Sequence, residues 1–345
     1  MSDDEKTSIA GIVELADDFI IIQPHKKRSK KSWLVPLSLF IVFAIFVWFY
    51  YEWKSPLIEI ILESKLTVAE NVVFGMPFFL DNETIAYSKN AESGGVVLNI
   101  KQLSPAGRQF STKPISKTEY LQPCLSPSED WIFLLTLLQY KTPRIYSVTQ
   151  NGEIQPIAQG EWASFSSDGT KIAFQKEKDG KSEIWIMNFD GSDQNSTGLK
   201  GQHPEFSPRS NHLIYDSKNK KGVSIIQKVD VYDSPYIPKT LTSDKDSCMY
   251  PSFSPDGKII IFYKKGDGLW AMKRGGSKQH RVLKSGISEM LIGRISPDGK
   301  IIAICSSKGK IDVYKIRYRK IKSKRSKIDI ERLIEYIDSI KRSDN

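Results

Sequence analysis

The chain has 345 residues, 40% hydrophobic and 26% charged, with a net charge of +10; it is too apolar for wholesale disorder and long enough for two domains or one large all-β unit. Its three cysteines, Cys124, Cys248 and Cys305, exclude a disulfide framework and a four-cysteine zinc site. Residues 26–31 hold five basic side chains and residues 315–327 hold eight with no acid, so the rest of the chain carries three net negative charges. A nucleic-acid binder needs a basic face on its folded body. This body is near neutral, so nucleic acid is not an expected partner.

Residues 1–32 read as a cytoplasmic tail. Behind acidic Asp3, Asp4 and Glu5, residues 9–20 place Ile9, Ile12, Val13, Ala16, Phe19 and Ile20 in a short amphipathic stretch. That pattern fits either a contact for a cytosolic partner or a partly disordered tail. Residues 33–51, WLVPLSLFIVFAIFVWFYY, contain no charged side chain. Nineteen residues at about 1.5 Å each give roughly 28 Å, close to the hydrocarbon thickness of a bilayer. Trp33 at one end and Trp48, Tyr50, Tyr51 and Trp53 at the other are placed as interfacial aromatic anchors, and the basic run before them sets the N-terminus inside. No small-x-small cleavage site follows the apolar run, so a retained signal anchor is preferred to a cleaved leader. The expected location is the inner (cytoplasmic) membrane, with everything after residue 52 in the periplasm or another extracytoplasmic space.

The remainder repeats itself. The phrase Tyr250-Pro251-Ser252-Phe253-Ser254-Pro255-Asp256-Gly257-Lys258 has relatives in Trp162-Ala163-Ser164-Phe165-Ser166-Ser167-Asp168-Gly169, His203-Pro204-Glu205-Phe206-Ser207-Pro208 and Gly293-Arg294-Ile295-Ser296-Pro297-Asp298-Gly299. Degraded copies stand at 122–131 and 77–87. The apolar residue before the turn is Phe79, Leu125, Phe165, Phe206, Phe253 and Ile295 in successive copies, spaced 46, 40, 41, 47 and 42 residues apart. A four-stranded propeller blade needs about 40 to 50 residues, and Pro and Gly in the turn suit a tight strand-to-strand reversal.

This repeated phrase resembles that of TolB-like and dipeptidyl-peptidase-like propellers, which are WD-repeat-like in layout, and covers about residues 56–318. The resemblance implies an all-β, six-bladed propeller. Ring closure requires a strand from one terminus to complete the sheet begun at the other, and residues 57–62 are expected to pair beside 310–318. The resemblance is to the domain: TolB proteins carry a further mixed domain ahead of the propeller, for which there is no room between anchor and first blade.

Catalytic signals are absent. The hydrolase partner of dipeptidyl-peptidase-like propellers needs a Gly-x-Ser-x-Gly elbow, which this sequence lacks; His25, His203, His212 and His280 are scattered, and no glycine-rich phosphate loop occurs. No enzyme, cofactor or metal site is expected. Asp168, Asp256 and Asp298 recur at one turn position, where Asp before Gly serves backbone geometry. The three cysteines read as small buried apolar residues, and His203 as a turn or pore-rim residue.

Residues 319–345 form a basic linker and an amphipathic helix with Ile330, Leu333, Ile334, Ile337 and Ile340 on one face. The helix either docks a partner or folds back on the propeller rim. The whole reads as a single-pass membrane protein whose propeller face and C-terminal helix bind protein partners as a scaffold in a cell-envelope complex. The alternative is a sensor whose propeller channel binds a small ligand or cation.

Overall fold

The computed structural model describes residues 57–321 apart from 93–94, 105–106, 112–123, 128–132, 140–141, 149–153 and 233–234. The expected membrane segment with Trp33, Trp48, Tyr50, Tyr51 and Trp53, the stretch 9–20 and the expected helix with Ile330, Leu333, Ile334, Ile337 and Ile340 lie outside the described residues. Among the described residues no helix is long and apolar enough to cross a membrane. Contacts divide the chain into two compact units, of which Leu57–Ser326 is the propeller.

The strands fall in repeat order. β1 is Leu57–Glu70. Blade 1 is β2 (Phe78–Phe79), β3 (Thr84–Asn90), β4 (Val96–Gln102) and β5 (Gln109–Ser111); blade 2 is β6 (Cys124–Leu125), β7 (Phe133–Gln139), β8 (Thr142–Val148) and β9 (Ile154–Gln159). Blade 3 is β10 (Glu161–Phe165), β11 (Lys171–Lys178), β12 (Lys181–Asn188) and β13 (Asn195–Lys200). Blade 4 is β14 (Gln202–Phe206), β15 (His212–Lys218), β16 (Ser224–Asp230) and β17 (Lys239–Thr240). Blade 5 is β18 (Cys248–Phe253), β19 (Ile259–Lys264), β20 (Gly268–Lys273) and β21 (His280–Lys284). β22 (Leu291–Ile295), β23 (Ile301–Ser306) and β24 (Lys310–Ile321) complete the chain. These strands make six four-stranded sheets, five of them in sequence order and the last ordered β1-β24-β23-β22. All pairings are antiparallel, as hairpin-connected strands must be.

The inner turns of blades 3, 5 and 6 are locked by their own side chains. Ser254 Oγ donates to Asp256 Oδ1 at 2.6 Å and accepts the Ile259 N–H at 3.0 Å, while Asp256 Oδ1 accepts the Lys258 N–H at 3.1 Å. Ser166 with Asp168 and Ser296 with Asp298 repeat this pattern, and the following Gly257 sits at φ 68°, open to glycine at no steric cost. Burial opposes ionisation of Asp256, but the Ser254 hydroxyl and the Lys258 amide and ammonium outweigh it and hold the carboxyl below its usual value. Removing fully buried Ser254 as Ser254→Ala should therefore cost about 1 to 3 kcal/mol. A depressed carboxyl adds stability above its unfolded value near 3.8 and loses it as pH falls through the folded value. The deficit measured by urea unfolding should thus be larger at pH 7 than at pH 3.

The core lies between blades. Ile214, Ile226 and Leu241 of blade 4 pack on Phe253, Ile260, Phe262 and Met272 of blade 5, and Leu213, Tyr215 and Val229 of blade 4 turn the other way onto Ala173, Ile184 and Leu199 of blade 3. A sheet covered on both faces needs apolar residues at successive positions, which is why β19 reads IIIFY without alternation and is buried throughout. Close packing also fixes glycines: a Cβ on Gly201 would lie 2.4 Å from the Tyr215 ring.

The ring closes through β1 and β24, which pair from Leu57↔Ile321 to Glu70↔Lys310. The closing strand runs past the expected 57–62 to Glu70. Its polar residues are cross-strand partners: Arg317 to Glu63 at 2.6 Å, Lys65 to Asp312 at 2.7 Å, and Arg319 to Glu59.

Candidate interaction site at the channel mouth

Inner strands of all six sheets, β2, β6, β10, β14, β18 and β22, border one central cavity of about 430 Å³. An inner strand is a sheet edge with unpaired N–H groups. The protein meets them with side chains from the preceding blade. The residue just before the apolar position of each repeat is Phe78, Cys124, Ser164, Glu205, Ser252 or Arg294. Ser164 Oγ accepts the Phe206 N–H at 3.1 Å, and Glu205 Oε1 accepts the Phe253 N–H at 2.8 Å. Cys124 receives the corresponding N–H of Phe165.

Cys124 therefore corrects the sequence reading: Cys248 and Cys305 are buried, but Cys124 is only half-buried and borders the channel. The reason is register, since the position before the apolar anchor points inward. Burial pushes its thiol up to about 11, so it is protonated at neutral pH and a poor nucleophile. All three cysteines are free.

Glu205 and Arg294 face each other across the channel at 3.0 Å. Glu205 also lies 3.3 Å from the Ser252 hydroxyl, and Arg294 Nη2 stands 2.7 Å from Met76 Sδ. Burial raises the Glu205 carboxyl above its usual value, and Arg294 and the Phe253 N–H pull against that rise. The two charges cancel, leaving the channel centre neutral. Among the described residues no group of three or more His, Cys, Asp or Glu could hold a metal ion.

One end of the channel is aromatic. Three residues before the apolar anchor, blades 3, 4 and 5 carry Trp162, His203 and Tyr250, each in the left-handed region at φ 55°, 52° and 55°. Each lies at a register shift in its inner strand pair. A bulge of this kind re-aims a side chain, and here the rings meet. Trp162 is edge-on to His203 with centroids 4.4 Å apart, His203 is 4.2 Å from Tyr250, and Phe74 closes against Tyr250 at 5.9 Å. β22 pairs without a shift, and its equivalent residue, Ile292, is buried.

Non-glycine residues held at positive φ cost energy and persist only where their surroundings over-determine them. For His203 and Tyr250 the second strand of the preceding blade does so. Gln175 Oε1 accepts the His203 N–H at 2.8 Å, and buried Asp216 accepts the Tyr250 N–H at 3.1 Å while contacting His203 Nδ1 at 2.6 Å. His203 is thus a rim residue, as its sequence position implied. The aromatic cluster itself was missed, although Trp162, His203 and Tyr250 begin three of the repeated phrases.

Comparison with known proteins follows from this geometry. The TolB beta propeller domain family matches residues 63–288. The chain belongs to that family. No curated protein matches it. TolB from Acinetobacter baumannii is 19% identical with a TM-score of 0.55, the match covering 68% of this chain and 65% of that one. A putative TolB from Agrobacterium tumefaciens is 15% identical with a TM-score of 0.53, covering 72% of this chain and 91% of that one. At these identities the likeness is one of fold, and this chain spans less than two thirds of the Acinetobacter protein.

Proposed function

We propose that this TolB-like propeller is a membrane-anchored extracytoplasmic scaffold that binds a protein partner of a cell-envelope complex at its aromatic channel mouth. Its role is binding rather than catalysis. The carrying observation is the set of three rings that consecutive blades aim at one mouth, each on a strained bulge, with those of His203 and Tyr250 held by a buried polar group of the preceding blade. Aromatic side chains with little rotamer freedom are the commonest interface anchors. The apolar, uncharged run 33–51 behind a basic cluster supports the anchor.

Crosslinking and affinity purification from native membranes in mild detergent tests this reading. The double variant Trp162→Ala with Tyr250→Ala should lose a stoichiometric partner, since each anchor is worth about 2 kcal/mol, or roughly 30-fold. Undiminished recovery with the double variant would exclude the mouth as the interface. A second reading, a small ligand in the channel, draws on a volume within the usual range of roughly 300–1,000 Å³. It predicts a ligand-dependent rise in melting temperature.

A further inference from the structure

The end of the ring opposite the aromatic mouth carries the Ser-Pro-Asp-Gly turns, and between blades 4 and 5 it gathers positive charge. Lys228 of β16 and Lys239 of β17 are direct cross-strand partners, an arrangement that costs stability when both are charged. Arg274 stands in the facing turn of blade 5, its N–H bonded to the Lys258 carbonyl. Lys228 and Arg274 are close enough to depress the pKa of His212, after burial, and Lys239 and Arg274 that of Lys228 in the same way. Among the described residues Asp230 is the acid that acts on both His212 and Lys228. It sits 4.0 Å from His212 Nε2 and accepts the Tyr232 N–H at 3.1 Å, and that one carboxylate cannot neutralise three cations.

The closing strands leave the ring on this same side. Beyond the last β23 partner, the Ile316 N–H bonds to the Lys300 carbonyl and the Tyr318 hydroxyl to the Gly299 carbonyl, both in the blade 6 turn, before Ile321 pairs with Leu57. The expected membrane segment ends at Tyr51, six residues before Leu57, a tether of at most about 22 Å.

We propose that the cluster of Lys228, Lys239 and Arg274 binds the phosphate of an anionic phospholipid headgroup. Arg274 offers a planar fork to phosphate oxygens and the lysines add point charge. An anionic ligand also relieves the repulsion between Lys228 and Lys239, which face each other across the strand pair. The proposal rests on the membrane-anchored reading above.

The test uses the full chain in a neutral detergent, titrated with phosphatidylglycerol or phosphatidylcholine in mixed micelles, and separately with inorganic phosphate. Phosphatidylglycerol should protect the amides of Ser224–Asp230 and Lys239–Thr240 from hydrogen exchange where phosphatidylcholine does not. The triple variant Lys228→Gln, Lys239→Gln, Arg274→Gln should lose about a hundred-fold in affinity for phosphatidylglycerol without a lower melting temperature, because it removes repulsion. Lys239→Gln alone is the milder variant should the triple one fail to fold, and should weaken binding several-fold. Equal protection by both lipids, or full affinity in the variants, overturns the proposal. Saturation by inorganic phosphate with no gain from phosphatidylglycerol overturns the lipid as the source. Alkaline carbonate extraction of native membranes tests the anchor by itself, since release of the chain would defeat the anchor whatever the lipid titration shows.

Discussion

Deleting Leu57–Glu70 is expected to abolish the cooperative thermal transition of the propeller rather than lower its midpoint. β1 is the outer strand of the last sheet, and its loss would uncover the whole length of β24. It brings Ile60 to the core between blades 5 and 6, and Val68 to that between blades 6 and 1, with Ile58, Leu62 and Ala69 packed beside them. Full burial of such a Val or Ile contributes about 1.5 to 3 kcal/mol. Ile60 and Val68, with smaller shares from partly buried Ile58 and Leu62, approach the lower end of the roughly 5 to 15 kcal/mol that stabilises a typical domain. The strand also joins the ends of the ring, so its removal frees blades 1 and 6 from each other. A circular-dichroism melt of the deletion, beside the milder Val68→Asp, checks this. A deletion that still melts sharply within about 10 °C of the parent would mean the ring holds without its closing strand.

Much of this fold is legible in the sequence because the inner turn is local chemistry. Ser254, Asp256 and Gly257 contact one another within four residues, and a turn that recurs about every 40 to 50 residues announces blades. Blades 1 and 2 are fainter because 80–84 and 126–131 keep few of those residues. The extent of β1 was hidden for a different reason. Past the expected 57–62, Glu63 and Lys65 break the apolar run, and their partners Arg317 and Asp312 stand opposite them some 250 positions away. The aromatic mouth needed a bulge in three separate strands. The signal was present, an aromatic or imidazole ring at the head of the phrase in Trp162, His203 and Tyr250, but strict two-residue alternation would have sent those rings elsewhere. The Glu205–Arg294 pair was not legible at all, because blade 5 separates the two residues in sequence and only the curvature of the ring brings the inner strands of blades 4 and 6 together.

That pair gives the second large effect. Arg294→Ala leaves Glu205 enclosed without its cation, and breaking a buried ion pair in this way costs about 3 to 5 kcal/mol. The loss should depend on pH in a particular direction. Glu205 is already raised by burial with Arg294 present, and without it the carboxyl rises further. A group whose folded pKa lies above its unfolded value contributes its stability in full below the unfolded value, near 4.5, and loses it as pH climbs through the folded one. The deficit of Arg294→Ala against the parent, measured by urea unfolding, should therefore be small at pH 4.5 and grow toward pH 7. Glu205→Gln in the same background keeps the acceptor for the Phe253 N–H while removing the charge, and should recover much of the loss at pH 7. A deficit independent of pH, or no recovery by Glu205→Gln, would mean that Arg294 acts through its packing against Met76 and the channel wall rather than through charge. In that case the neutrality of the channel centre would not be what fixes blade 4 against blade 6.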